Sequence, residues 1–577
     1  MTKFLCAWAA CLLSAVSPIG AAVSGGPAWW QQTVVYQIYP KSFADTTGSG
    51  TGDLPGIIAK LDYLSDLGVG AVWLTPVYPS PMVDNGYDIA DYTGIDPRYG
   101  TMADFDRLVA EAKKRGIRIV MDLVFNHSSD KHPWFVLSQK DRTNPKADWY
   151  VWRDPKPDGS APTNWRSIFG GSAWTWCESR KQFYLHTFAP QQPDLNWENP
   201  AVRRALFDAA LFWLKRGVGG FRVDAVSYVK KPAVFADGPV DGADGLSDVH
   251  AATANQPGLL DFLREFRHEV RDGRDIFTVG EANGVGAEEL GDWVGVRGVF
   301  DMIFKFSHLN LSFRDGMWSH PRDLKLIELK RALFDTQRAT RGSGWATLFF
   351  ENHDTPRGVN RFLPKGAPRD KAAKALAAVL LTLRGTPFVF QGQELGLTNL
   401  DWPSIDAFDD IQTRGQYDFA RKEGFTHTQA LKLVSAFSRD NARTPMLWTA
   451  GTCAGFTAGK PWLPVHPGFA TLNAQTQAAE ADSVLNWYKK LIHLRRERTE
   501  LTLGTCEELL PRSERIFAFA RVLDGRRTVT VVNFTGQAAP LSPELTRGCK
   551  LILASEHGGD ESALSPYEAR IYASYVR

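Results

Sequence analysis

Arg222 and Asp224 lie two residues apart in an apolar run, GFRVDAV at 220–226. Alternation along a strand puts both side chains on one face. A guanidinium beside a carboxylate favours the charged form, which predicts a low pKa for Asp224. A positioned, ionised carboxylate is what attack on a sugar carbon requires. A structural ion pair at a strand end is the competing reading. Other apolar runs end in similar groups. His127 follows RIVMDLV, Glu281 closes DIFTVGE, and His353 and Asp354 close TLFFENHD. Three carboxylates meeting at one place repel, so at least one pKa should rise. One ionised and one protonated carboxyl is the pairing that glycoside hydrolysis uses.

The elements that must position these residues are legible as a repeat. Candidate strands start at Val34, Ala71, Arg118, Gly220, Asp275, Met302, Thr347 and Pro387. Most are followed by helix-like stretches, such as 105–115, 202–216 and 371–383. Apolar strands alternating with helices predict a parallel α/β sheet, and eight such units predict a closed (β/α)8 TIM barrel. A doubly wound sheet would want a Gly-rich phosphate turn, and none follows the first strand. In a barrel, the strand C-terminal ends form one face, where His127, Asp224, Glu281, His353 and Asp354 would meet.

The barrel is expected over 27–124 and 220–500, with an inserted domain at 125–219 after the third strand. That insert carries many Trp, Pro and Gly residues and is too long for a bare loop. Residues 398–463 read as an irregular insertion, and a helix is expected near 484–497. From 501 to 577 the pattern predicts a small antiparallel β-sandwich, with a hairpin turning at Asp524-Gly525.

The chain of 577 residues has a formal net charge of +2, 23% charged and 44% apolar residues. That balance, without a basic block, argues against a nucleic-acid partner. Lys3, an apolar core from Phe4 to Val16 and the small residues Gly20-Ala21-Ala22 read as a signal peptide over 1–22. Secretion or periplasmic export is therefore expected, with no membrane association after cleavage. Export permits disulfides among Cys177, Cys453, Cys506 and Cys549, and Cys506–Cys549 is the expected pair within one terminal domain. Oligomeric state is not legible.

DLVFNH, GFRVDAV, GEAN and ENHD together resemble the four signature segments of the α-amylase superfamily, glycoside hydrolase family 13. QPDLNW from Gln192 resembles a fifth, in the form found in the oligo-1,6-glucosidase and α-glucosidase branch. DNGYDIADY from Asp84, FGGSAW from Phe169, RDNARTPM from Arg439 and the terminal SPYEARIY strengthen the likeness. It implies that Asp224 is the nucleophile, Glu281 the general acid and base, and Asp354 the residue that grips sugar hydroxyls. It implies further that Arg222 serves Asp224, that His127 and His353 bond the bound glucose, and that Tyr87 lies beneath it. Asp84 and Arg439 would close the pocket over the non-reducing end, with Arg443 as a competing candidate. Phe169 and Gln192 would line the same pocket. Ala225 follows the nucleophile, where Ala or Thr accompanies α-1,4 activity and Val accompanies α-1,6 preference.

The expectation is a retaining, exo-acting α-glucosidase that takes a small oligosaccharide or disaccharide, with α-1,4 bonds favoured and no cofactor required. A structural calcium ion is conceivable at Asp45, Thr47, Ser49 and Asp53, a degenerate form of a calcium-type loop; a plain Gly-rich turn is the favoured reading. The alternative on the same scaffold is a transglucosylase or sucrose isomerase, against which stands the sequence NLSFRDGMW from Asn310 in place of RLDRD. A non-catalytic relative, like the ectodomain subunits of amino-acid transporters, ranks last because all three carboxylates are present.

Overall fold

The computed structural model describes residues 26–295, 297–314, 318–342, 344–558 and 560–574. The expected signal peptide lies outside these residues. Eight strands form one parallel sheet: β1 (Val35–Ile38), β2 (Ala71–Leu74), β3 (Arg118–Val124), β4 (Gly220–Asp224), β5 (Phe277–Glu281), β6 (Met302–Phe304), β7 (Thr347–Leu348) and β8 (Thr386–Phe390). The hydrogen-bonded order is β6-β5-β4-β3-β2-β1-β8-β7, and every ladder is parallel. At the remaining seam the Thr347 hydroxyl on β7 donates to Ile303 O on β6 at 2.8 Å, so the sheet curls into a nearly closed barrel. Apart from site residues such as Gln37, Asp122, Arg222 and Glu281, the strands are largely apolar because helices cover their outer faces.

Local signals place those helices. The first long one, α1 (Met102–Lys114), starts at a Thr101/Asp104 capping box. The next, α2 (Pro200–Lys215), begins with Asn199 as cap and Pro at its first position. Both start a few residues before the periodic apolar stretch, since capping residues lie outside the buried stripe.

Residues between β3 and α2 form a separate small core. A three-stranded antiparallel sheet joins Trp152–Arg153, Gln182–Leu185 and Trp174–Cys177. Trp165–Arg166 pairs in parallel with Ser247–Asp248, which arrives from the long loop after β4. Thus two barrel loops build this region together. Its tryptophans are mostly structural: Trp149, Trp152, Trp165, Trp174 and Trp197 are buried.

The stretch 398–463, expected to be irregular, is corrected by the structure. It carries α3 (Ile411–Lys422) and α4 (His427–Phe437), started by an Asp410 cap and a Thr426/Gln429 capping box. Their buried faces are narrow, which hides the helical period in the sequence.

The C-terminal sheet comprises β9 (Thr505–Leu509), β10 (Ile516–Leu523), β11 (Arg526–Asn533), β12 (Cys549–Ala554) and β13 (Ala569–Ser574). All its ladders are antiparallel, in the order β9-β10-β11-β13-β12. Asp524 and Gly525 turn the β10–β11 hairpin with φ of +49° and +78°, the left-handed pair a two-residue turn demands. A two-stranded ladder, Ala539–Pro540 with Ala563–Leu564, shares a core with Ile516, Ala518 and Val531. On the other face, Phe517 packs on Phe334 of a barrel helix at 5.7 Å. The expected Cys506–Cys549 disulfide is contradicted. Both thiols are free, and they sit on β9 and β12, the two opposite edges of the sheet. Four strand spacings of ~4.8 Å separate them by roughly 19 Å, against an upper limit of ~7 Å between bridged Cα atoms.

Candidate active site

Arg222, third residue of β4, is buried and points along the barrel toward the strand C-termini. Its Nη1 donates to Asp224 Oδ1 at 2.6 Å and to Asp122 Oδ1 on β3 at 2.8 Å. Its Nη2 donates to Glu281 Oε2 on β5. One guanidinium thus ties together the carboxyls of three adjacent strands, and the shared face expected for Arg222 and Asp224 is realised. Asp122 opens the DLVFNH segment, but the sequence assigns it no role. It also accepts from Trp73 Nε1 at 3.2 Å and from the Tyr87 hydroxyl at 3.0 Å.

The low pKa expected for Asp224 is overturned. Burial pushes its carboxyl well above the ordinary range; Arg222 opposes this, while Glu281 and Asp122 reinforce it. A guanidinium shared among three carboxylates does not offset the desolvation of Asp224. The expectation that at least one of the converging carboxyls has a raised pKa is met at Asp224, with burial as the largest cause.

Asp354 behaves oppositely. Burial raises it, but His353, Arg439 and Arg443 outweigh burial and hold it well below the usual carboxylate range. His353 Nε2 lies 3.0 Å from Asp354 Oδ2. The Gln37 amide on β1 lies 2.7 Å from His353 Nδ1. With that amide donating, Nδ1 accepts and the proton sits on Nε2, facing Asp354. Burial lowers the His353 pKa despite the pull of Asp354. The Tyr87 ring stacks on His353 with centroids 5.2 Å apart, 7° from parallel.

Arg439 closes a second network. Its Nη2 donates to Asp84 Oδ1 at 2.9 Å, its Nη1 to Asp354 at 3.2 Å, and its Nε to Asp410 at 2.9 Å. Arg443 instead donates to Asp354 at 2.9 Å and to His353 O at 2.9 Å. The partner of Asp84 is therefore Arg439, and Arg443 is a second cation behind Asp354. Asp410, the cap of α3, was not singled out from the sequence; a cap and a buried counter-ion look alike there. Burial raises Asp84 to about 6, against the pull of Arg439 and Arg443. Gln192 donates to Asp84 Oδ2 at 3.2 Å and sits 3.1 Å from His127 Nε2. His127, lowered to about 4 by burial, is a neutral hydrogen-bonding group. Phe169 lies under the Arg439 guanidinium at 5.0 Å.

Ala225 follows Asp224 in the left-handed region, with φ of +47° and ψ of +35°. This turn aims its N–H at Glu281 Oε2, 3.3 Å away. For a residue with a Cβ the conformation costs ~1–2 kcal/mol.

Asp84, Tyr87, His127, Phe169, Asp224, Ala225, Glu281, Asp354 and Arg439 all line one cavity of about 520 Å³ at the strand C-terminal ends. Gln192, Arg222 and His353 stand directly behind that lining. The same lining also includes the aromatic residues Phe306, Phe313, Trp318 and Phe437.

The loop at Asp45 is tied up by the protein's own donors. Asp45 accepts from Thr47 N at 2.8 Å, Gly48 N at 3.1 Å, Gly50 N at 2.7 Å and the Thr457 hydroxyl at 2.6 Å. The Ser49 hydroxyl donates to Thr51 O at 3.0 Å, and Asp53 caps the following helix through Gly56 N at 2.6 Å. Calcium needs several free oxygen lone pairs converging on one point. These four residues do not fit that requirement.

A barrel with this polar cavity at its strand C-termini defines a class, that of the sugar-processing α/β barrels. Residues 37–504 match the α-amylase catalytic-domain family, and the chain belongs to that family of glycoside hydrolases. It is 42% identical to a probable oligo-1,6-glucosidase 3 of Bacillus subtilis (strain 168) over 557 residues, 94% of this chain and 99% of the relative. It is 43% identical to the trehalose-6-phosphate hydrolase of Escherichia coli (strain K12) over 524 residues, 90% of this chain and 94% of the relative. Among solved structures, the trehalulose synthase MutB from Pseudomonas mesoacidophila MX-45 aligns with a TM-score of 0.90 at 39% identity, covering 95% of this chain and 100% of that one.

Proposed function

We propose that the protein is a retaining, exo-acting α-glucosidase of short α-glucosides, with Asp224 as nucleophile and Glu281 as acid and base. The observation that carries this reading is the single Arg222 guanidinium bonded to both carboxyls. Asp224 is also in side-chain hydrogen-bond range of Glu281, which supports the short separation that retention uses; inversion needs a gap of ~6.5–9.5 Å for a water. Asp224 attacks the anomeric carbon, the glycosidic C–O bond breaks, and the departing oxygen takes the Glu281 proton. A water then returns a proton to Glu281 and attacks the same carbon, which frees the Asp224 carboxylate. For this the one proton of the pair must rest on Glu281 once sugar is bound. Asp354, held ionised, accepts from sugar hydroxyls, and the Asp84–Arg439 pair closes the non-reducing end.

The smaller residue at Ala225 supports α-1,4 bonds over α-1,6, while the oligo-1,6-glucosidases among the relatives keep α-1,6 bonds within range. A sucrose isomerase is the second reading, favoured by the likeness to trehalulose synthase, which has been solved with its substrate sucrose. Incubation with maltose, isomaltose, sucrose and trehalose, with separation of the products, tests both. Glucose from maltose, released first as the α-anomer, is the expected result. Isomaltulose or trehalulose from sucrose would replace the first reading by the second, and β-glucose as the first product would overturn retention. Export is proposed from the N-terminal segment; a mature protein beginning near Val23 is expected on N-terminal sequencing.

A further inference from the structure

Among the described residues, the segment that carries Phe306, Leu309 and Phe313 is held by several polar ties, including His308 Nε2 to Phe349 O at 2.8 Å. Arg361 supplies two of them. It stands on the short helix Gly358–Phe362 that follows Asp354, and it lines the cavity. Its Nη2 donates to Leu309 O at 2.5 Å and its Nε to the Ser312 hydroxyl at 3.1 Å. Both acceptors belong to the turn around Asn310–Ser312 that follows β6. The guanidinium also lies 5.7 Å from the Phe313 ring, which packs on Phe437 at 4.7 Å. Arg361 therefore fastens the segment carrying Phe306, Leu309 and Phe313 to the segment carrying Asp354. Burial lowers its pKa only to about 10, so the clamp is charged at any working pH.

We propose that Arg361 is a positioning residue for the acceptor side of the site, setting the wall against which the leaving or incoming sugar packs. The proposal rests on the glucosidase reading above. The aromatic rings of that wall offer an apolar face to a neutral sugar ring. Their placement depends on a forked donor that Lys cannot reproduce, because an ammonium lacks the planar pair of N–H groups. The proposed reacting carboxyls, Asp224 and Glu281, are bonded by Arg222 and not by Arg361. Loss of the clamp should thus harm substrates in proportion to how much their leaving group uses the wall.

The test compares wild type with Arg361→Lys and Arg361→Gln on two substrates. One is whichever of maltose and isomaltose the wild type turns over faster; the other is α-glucosyl fluoride, whose departing fluoride makes no sugar contact. The expected result is a fall in kcat/KM on the disaccharide of roughly 10- to 100-fold, at least ~10-fold larger than the fall on the fluoride. Transfer to added glucose should decline along with it. Equal losses on the two substrates would show a merely structural residue and overturn the proposal, as would full activity of both variants on both. A wild type that turns over neither substrate would instead end the glucosidase reading, and this inference with it. Thermal unfolding of each variant separates misfolding from either outcome.

Discussion

Asp224, Glu281 and Arg222 form a unit in which no member's charge is independent. Removing either carboxyl leaves Arg222 buried beside the remaining acids, so the fold should survive while the reaction fails. Asp224→Ala and Glu281→Gln are each expected to lower kcat by about 10³-fold or more, with circular dichroism and unfolding temperature near wild type. Near-normal turnover by folded Asp224→Ala would remove Asp224 from its proposed role. Asp84 calls for a different experiment. With burial holding it at about 6, it is ionised above that pH and neutral below. Ionised, it pairs with Arg439 and, in its proposed role, would accept from a sugar hydroxyl; neutral, it loses the charge on both counts. KM should therefore rise as pH falls through about 6. Asp84→Asn should show the high KM at every pH with that rise flattened, and a mutant that keeps the wild-type KM profile contradicts the assignment.

At the scale of elements, the turn after β4 matters most. Ala225 sits in a left-handed conformation that a β-branched residue tolerates poorly. Space beside Asp224 argues that Ala225→Val shifts the kcat/KM ratio toward isomaltose, within the ~1–3 kcal/mol available to a methyl-scale change. The backbone adds a second expectation, a stability loss of about 1 kcal/mol or more in denaturant unfolding. An unchanged ratio in a folded mutant would leave Ala225 as barrel packing. Gln37, Asp122 and Asp410 show why some site residues were not legible. Each is a single buried polar residue in a strand or at a helix cap, and its partner lies far along the chain. His353 is 316 residues from Gln37, and Arg222 is 100 residues from Asp122. Asp122 opens the DLVFNH segment, yet its local sequence does not say that it meets Arg222, and nothing local separates Gln37 and Asp410 from ordinary strand and cap residues. Asp224, Glu281 and Asp354 were legible because each ends an apolar run, a position with a meaning in a barrel.

Across the whole molecule, the C-terminal sheet is part of the barrel's stability. The helix Arg369–Thr382 is buried at every position from Ala372 to Thr382. Trp487 of the helix Val484–Glu497 bonds Lys374 O on that helix at 3.0 Å, while Thr530 on β11 lies 2.9 Å from Thr382. A helix buried all round needs cover on both sides. A chain ending at residue 500 would expose one of those sides, together with Phe334. It is expected to be insoluble or to bind a hydrophobic dye, with activity below about 1% of the full chain. A soluble, active truncation would show that the sheet is dispensable.

Periodicity, capping signals and turn chemistry act over a few residues. They determined the eight strands, the hairpin at Asp524-Gly525 and the convergence of three carboxyls at one barrel face. The tertiary structure alone decided which arginine meets Asp84, that the helices of 398–463 form, and that Cys506 and Cys549 lie on opposite sheet edges. It also decided the direction in which the Asp224 pKa moves. The sequence placed a guanidinium two residues away, but a pKa depends on everything within several ångströms and on the water excluded. Three carboxylates around one buried cation, brought from separate strands, are a fact of three-dimensional packing that no spacing along the chain contains.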